Sequence, residues 1–375
     1  MSILIDGYCA NGFAAVRDAV RHNLETGEEV GCSVAVMSDG KMVADVWGGF
    51  RDAARTRPWT RDTIGNPRSI VKSIGALCIL RLASQGRLRL DDPVAVHWPE
   101  FGAAGKENLS IRTFLSHLAG LPFADSAPRG SMYTEGIVEA ALASQVPEWP
   151  PGTQPCYHSF TYPVFCAELV RRVSGRTIHD YERDEISGPL GAEYWIGLED
   201  HQLELCADFI ETPGTPSNEG FKRNTASPLY RAWTPMALDE TYNSERWRRS
   251  LFVGHGNARG LARIFGALAC GGELDGVSIA DPTILADATR PAWDGIDFMT
   301  KRHFRFGMGF LVSCPPFPYN GNPRSFGHIG TGGTIVFADP DRRLAVAYVP
   351  NRMYPSALQT PLAQRVIDAI GHCVD

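Results

Sequence analysis

A serine three residues ahead of a lysine is a pair that can do nucleophilic chemistry, and the chain holds it twice. The first copy is Ser38-Asp39-Gly40-Lys41 and the second Ser69-Ile70-Val71-Lys72. With only five lysines in 375 residues, two matches invite a choice between them. On a helix the i, i+3 spacing puts serine and lysine on one face, about a turn apart. If the lysine is also buried, its ammonium form is disfavoured and the neutral amine can take the serine proton. Exposed N–H groups at a helix start then favour negative charge on the attacking oxygen or on the oxyanion it creates. Two further constellations stand downstream. Tyr157-His158-Ser159 follows Pro151-Gly152-Thr153, and Phe326-Gly327-His328-Ile329-Gly330-Thr331-Gly332-Gly333-Thr334 runs into a β-rich stretch.

The surrounding elements separate the two serine–lysine pairs. Residues 33–37 and 42–47 are β-rich runs around Asp39-Gly40, which reads as a two-residue hairpin. Ser38 and Lys41 then sit on opposite strands in solvent, so this copy is the chance one. From Ser69 onward, Ile70, Val71, Ile74, Leu77, Cys78, Ile79 and Leu82 are apolar on nearly every side, which predicts a buried helix stopped by Gly86. The helix alone leaves a second reading open, with Ser69 as an N-cap and Lys72 as a snorkelling surface residue.

Other helices are expected over 13–24, 137–142, 164–173, 258–270 and 284–288, with a last amphipathic one over 361–373. Short β-rich runs occupy 309–313, 325–327, 334–338 and 344–349, the last two joined by Asp339-Pro340-Asp341. Strands at both chain ends with helices between them predict an α+β architecture: one antiparallel sheet built from both termini, flanked by terminal helices, with an inserted helical lobe. The division expected is 1–68 plus 300–375 for the sheet lobe and 69–299 for a mostly helical lobe, with the site between them.

Composition narrows the function classes. A 44% hydrophobic, 21% charged chain is an ordinary globular balance. A net charge of −6 with no basic block gives no nucleic-acid footprint. No apolar run approaches the roughly 20 residues of a membrane span. The start, Met1 to Asp6, lacks a basic region and a long apolar region, so no secretory signal is expected. Nine scattered cysteines without Cys-x-x-Cys are expected as reduced thiols, which fits a cytoplasmic location. Neither metal-ligand spacing among the ten histidines nor a phosphate-binding glycine loop is present. Gly31-Cys32-Ser33-Val34-Ala35 ends in alanine and leads into a strand, so it is no nucleophile elbow.

The three constellations, in this order and on these elements, resemble the serine β-lactamase and penicillin-recognising superfamily, its class C-like branch and especially the family VIII carboxylesterases. Leu88-Arg89-Leu90-Asp91-Asp92-Pro93-Val94, Trp98-Pro99-Glu100, Leu115-Ser116-His117-Leu118-Ala119-Gly120-Leu121-Pro122, Pro151-Gly152-Thr153 and Ala338-Asp339-Pro340 carry the likeness further, over about 13–370.

The resemblance implies a β-lactamase-like fold and an acyl-enzyme on Ser69. Lys72 would assist its deprotonation, and Tyr157 would act with Lys72 as general base and then protonate the leaving group. The backbone N–H groups of Ser69 and of Thr331, on the edge strand, would form the oxyanion hole. His328-Ile329-Gly330 stands where β-lactamases carry Lys-Thr-Gly, and Ser159 where they carry asparagine. Without the cation and hydroxyl that help hold an antibiotic's carboxylate, the implied substrates are neutral esters. Ser159 keeps a hydroxyl for Lys72 or a substrate carbonyl. His117 is expected to be structural, and His158 receives no role. Neither metal nor organic cofactor is implied; the partner is a small-molecule ester, and oligomeric state is left open. A β-lactamase, a D-amino-acid amidase or peptidase, an acyltransferase of the same fold, and a binding module without catalysis are the alternatives.

Overall fold

The computed structural model describes residues 3–212, 224–355 and 359–374, without the side chains of residues 372 and 374. The N-terminal hairpin forms as its turn chemistry requires. Strands β2 (Gly31–Ser38) and β3 (Lys41–Gly49) meet at Asp39 and Gly40, whose φ of 47° and 72° are the left-handed pair of a two-residue loop. Around this hairpin a nine-stranded antiparallel sheet assembles. Its other strands are β1 (Ile5–Cys9), β4 (Trp293–Ile296), β5 (His303–Phe306), β6 (Leu311–Val312), β7 (Phe326–Ile329), β8 (Ile335–Asp339) and β9 (Leu344–Pro350), in the spatial order β1-β3-β2-β9-β8-β7-β6-β5-β4. The β2–β9 pairing, with Val36 opposite Val346, joins the two chain ends in one sheet.

The central strands are apolar on both faces, and each face has its own cover. Cys32, Val34 and Val36 of β2 and Leu344, Val346 and Tyr348 of β9 pack under the terminal helices α1 (Ala14–Glu25) and α7 (Pro361–Val374). Ala35, Met37, Ala345, Ala347 and Val349 point the other way, into the larger core with α5 (Ala258–Ala269). That period-two alternation is the pleat read on a doubly buried strand.

Between the two sets of strands run α2 (Ile70–Ser84), α3 (Ile137–Ser144), α4 (Thr161–Ser174) and, after α5, α6 (Pro282–Ala288). Helix α2 is buried nearly all round and leaves through Gly86 at φ 70°. It packs on α4 along its length. On the sheet side the Ser73 hydroxyl donates to the Gly309 carbonyl at 2.7 Å. Gly309 has φ 83°, and a Cβ there would lie 2.1 Å from the Ala76 Cβ, so only glycine lets this backbone press on the helix.

Two features differ from the sequence reading. The run 309–313 contributes only Leu311–Val312 to the sheet, because the Met308 and Gly309 N–H groups donate to Ala288 and Leu115 carbonyls instead of to a strand. The far edge, β4 and β5, was not foreseen. Trp293-Asp294-Gly295-Ile296 alternates half-buried and exposed positions and is too short to stand out. Both β4 and the sheet-packed helix α5 fall within 69–299, the span expected to be mostly helical. Among the described residues, no helix is long and apolar enough to cross a membrane, and all nine cysteines are unpaired.

Candidate active site

Ser69 is the last residue before α2. Its φ of −65° and ψ of −6° are already helical, and its hydroxyl makes no capping bond. The reading of Ser69 as an ordinary N-cap therefore fails, and Oγ is left for the site. Lys72 is 3% exposed and its Nζ donates to Ser69 Oγ at 3.3 Å. Burial, helped by the Arg68 guanidinium, lowers its pKa to about 7, so an appreciable share of the amine is neutral at physiological pH. The ammonium position lies 4.8 Å from the centre of the Tyr157 ring. Burial pushes the Tyr157 pKa up, against the opposing pull of the Ser69 hydroxyl, so the phenol keeps its proton. Hydroxyl, amine and phenol thus converge.

The Tyr157 segment is fixed by groups from distant parts of the chain. Asp297, fully buried, accepts the Tyr157 N–H at 2.6 Å through Oδ1 and the Thr300 N–H and hydroxyl through Oδ2. His117 Nδ1 accepts the His158 N–H at 3.0 Å. The His158 ring turns away from Ser69, stacks on Phe114 and accepts the Leu121 N–H at 3.1 Å. His117 thus holds the backbone of this segment, and the His158 ring holds that of Leu121. Ser159 Oγ faces the cavity and accepts the Trp233 indole N–H at 2.8 Å. It makes no bond to Lys72 among the described residues, contrary to one of the two uses its hydroxyl suggested.

At the sheet end, Thr331 does not lie on a strand, as the sequence suggested. It sits in the turn 330–334 after β7, closed by Gly330 N–H to the Thr334 carbonyl and Gly333 N–H to the Gly330 carbonyl. Nor is β7 the sheet edge. Its neighbour β6 covers only Phe326 and Gly327, so the flank at His328 and Ile329 has no strand partner and opens toward α2. Gly330 brings the turn against the loop before Ser69: a Cβ there would lie 2.4 Å from the Pro67 carbonyl oxygen. Among the described residues the backbone N–H groups of Ser69 and Thr331 donate to no protein acceptor. His328 is buried, with Nδ1 2.7 Å from the Ile329 carbonyl oxygen, and burial beside Lys72 lowers its pKa to about 3. It is neutral, and neither it nor Gly330 lines the cavity.

That cavity holds about 150 Å³. Asn66, Arg68, Ser69, Lys72, Tyr157, Ser159, Thr300 and Thr331 supply its polar groups; Met132, Phe160, Leu229, Trp233, Trp247 and Phe252 are among its apolar walls. A larger space of about 860 Å³ lies beyond Met132 and Phe252, which line both, and it contains none of those polar groups. Among the described residues no group of histidine, cysteine and acidic side chains could hold a metal ion. Sequence reasoning missed Asp297, Trp233 and Arg68, the last of which also lines the cavity. Arg68 could have been noticed as the neighbour of Ser69; the other two carry no local signal.

Known proteins resemble the chain over nearly its whole length. A model of the beta-lactamase family matches residues 16–369. The esterase/beta-lactamase LipL of Mycobacterium tuberculosis is 29% identical over 342 residues, 88% of this chain and 79% of that one. Among solved structures, a family VIII carboxylesterase superposes with a TM-score of 0.89 at 33% identity, covering 99% of this chain and all of the other. A penicillin-binding protein homologue from Caulobacter crescentus gives 0.89 at 35% identity, covering 98% and 99%. The chain is a member of the beta-lactamase family, a serine hydrolase by fold and kinship.

Proposed function

We propose that the protein hydrolyses carboxylic esters through an acyl-enzyme on Ser69. The observation that carries the reading is the buried Lys72, with its pKa near 7 and its Nζ 3.3 Å from Ser69 Oγ. Neutral Lys72 takes the Ser69 proton as Oγ attacks the ester carbonyl. The oxyanion is received by the Ser69 and Thr331 N–H groups, each such donor stabilising the transition state by roughly 2.7–4 kcal/mol. As the tetrahedral adduct collapses, the Tyr157 phenol gives its proton to the departing alkoxide, and the Lys72 ammonium restores it. Water then attacks the acyl group, its proton passes to Lys72, and Ser69 Oγ regains a proton as the acid leaves.

Esters are favoured over β-lactams by the sheet end of the site. The residue in the family's cationic position, His328, is neutral and out of the cavity, so an antibiotic's carboxylate finds no charge there. The names of two relatives, an esterase/beta-lactamase and a family VIII carboxylesterase, support the same class. Turnover of 4-nitrophenyl acetate, with nitrocefin run in parallel, tests the reading. Ester turnover that vanishes in Ser69→Ala is expected, with nitrocefin hydrolysis slower by orders of magnitude. Full ester activity in Ser69→Ala, or nitrocefin as the better substrate, overturns it.

A further inference from the structure

We infer that Arg68 selects esters that carry a carboxylate of their own, which its guanidinium receives at the wall of the catalytic cavity. The inference rests on the esterase reading and names the substrate class within it.

Arg68 immediately precedes the nucleophile and lines the same cavity. Its guanidinium carbon lies 4.0 Å from the centre of the Tyr242 ring, 5.0 Å from Phe209 and 5.7 Å from Trp247. Those rings pack edge-on against one another, Phe209 on Tyr242 and Tyr242 on Trp247, so the cage is itself well supported. Aromatic faces hold a guanidinium by its plane and leave N–H edges for a planar anion. The backbone is held as firmly: Arg68 has φ 57°, a conformation side-chain-bearing residues seldom adopt, and the Asn66 side chain accepts its N–H at 2.9 Å.

What the guanidinium lacks is a counter-charge. Arg112, Arg171, Arg231 and Arg259 all reach carboxylates. Arg68 makes no ion pair within 4.0 Å among the described residues. Glu211 acts on the Tyr242 hydroxyl but forms no ion pair with Arg68. Among the described residues no acidic side chain lines the cavity, while Arg68 and Lys72 both do. A permanent cation in a small, mostly apolar cleft concentrates field on an incoming anion. His328 cannot play this part, so the positive charge has moved from the sheet end of the site to the loop before Ser69. The sequence expectation of neutral esters is revised accordingly: the substrate class is an ester with a free carboxylate, such as a half-ester of a short dicarboxylic acid.

The test is the ratio of kcat/KM for mono-4-nitrophenyl glutarate to that for 4-nitrophenyl pentanoate, at one pH, in wild type, Arg68→Met and Arg68→Lys. The pair 4-acetoxybenzoate and phenyl acetate places the charge on the alcohol side instead. Using ratios cancels any effect of Arg68 on Lys72 that both esters share. One acid ester should be preferred in wild type, and its ratio should fall about 10–100-fold in Arg68→Met, with partial recovery in Arg68→Lys. The wild-type preference should also weaken at high salt. Fluorophosphonate labelling of Ser69 confirms that each variant keeps its site. No acid preference on either side, a salt-insensitive ratio, or a ratio unchanged in Arg68→Met overturns the inference while leaving the esterase reading intact. Ester turnover that survives Ser69→Ala removes the reading itself.

Discussion

The two Ser-x-x-Lys sequences share their letters and almost nothing else. Ser38 and Lys41 pair across a hairpin, with Asp39 and Gly40 forming the turn between them and Lys41 exposed to water. Ser69 and Lys72 stand on one side of a helix start, with Lys72 buried and Ser69 lining the catalytic cavity. A hairpin sends the serine and lysine along separate strands, with Lys41 open to solvent. A buried helix start brings Oγ and Nζ within 3.3 Å and makes the ammonium costly. Chemistry therefore resides in the environment that the motif enters, and the spacing alone is neutral.

Ways to break this contrast can be ranked. Ser69→Ala should lower ester kcat/KM by about 10⁴-fold or more, measured with 4-nitrophenyl acetate, whereas Ser38→Ala should stay within about twofold. Lys72→Met should cost about 10²–10⁴-fold, with Lys41→Met near wild type in the same assay. The pH dependence sharpens the point. Below about 7 Lys72 is an ammonium and cannot accept a proton, so kcat/KM should climb as pH rises through 7 and level off above it. Because the Arg68 charge helps depress the Lys72 pKa, Arg68→Met should move that limb to higher pH. Asp297→Ala leaves the Tyr157 and Thr300 N–H groups without their acceptor, which should destabilise the fold by about 1–3 kcal/mol in denaturant titration and slow turnover through a displaced Tyr157. In the hairpin, Lys41→Ala should change stability by under about 0.5 kcal/mol.

Much of the arrangement could be read from local sequence because it is local physics. The Asp39-Gly40 turn, the apolar run that buries α2 and the glycine that ends it each act within a few residues. The family likeness placed Ser69, Lys72 and Tyr157 together, and the geometry brings them within contact. What escaped depends on tertiary closure. Asp297 lies 140 residues from the backbone it clamps, and Trp233 lies 74 from the hydroxyl it bonds. No periodicity marks either one. Thr331 was expected on a strand because β-rich residues bracket it; the paired Gly332 and Gly333, with φ of 106° and 123°, make it a turn instead. The short strand β6, cut off where Gly309 presses on α2, opens the sheet flank beside that turn, and no run of residues announces such an opening.

The most direct test of the account follows fluorophosphonate labelling of the intact protein by mass at a series of pH values, with the modified peptide identified at each. One adduct is predicted, on Ser69, forming at a rate that rises through pH 7, with Ser38 unmodified throughout. An adduct on another residue, or a labelling rate flat from pH 5 to pH 9, contradicts the claim that a buried, near-neutral Lys72 activates Ser69.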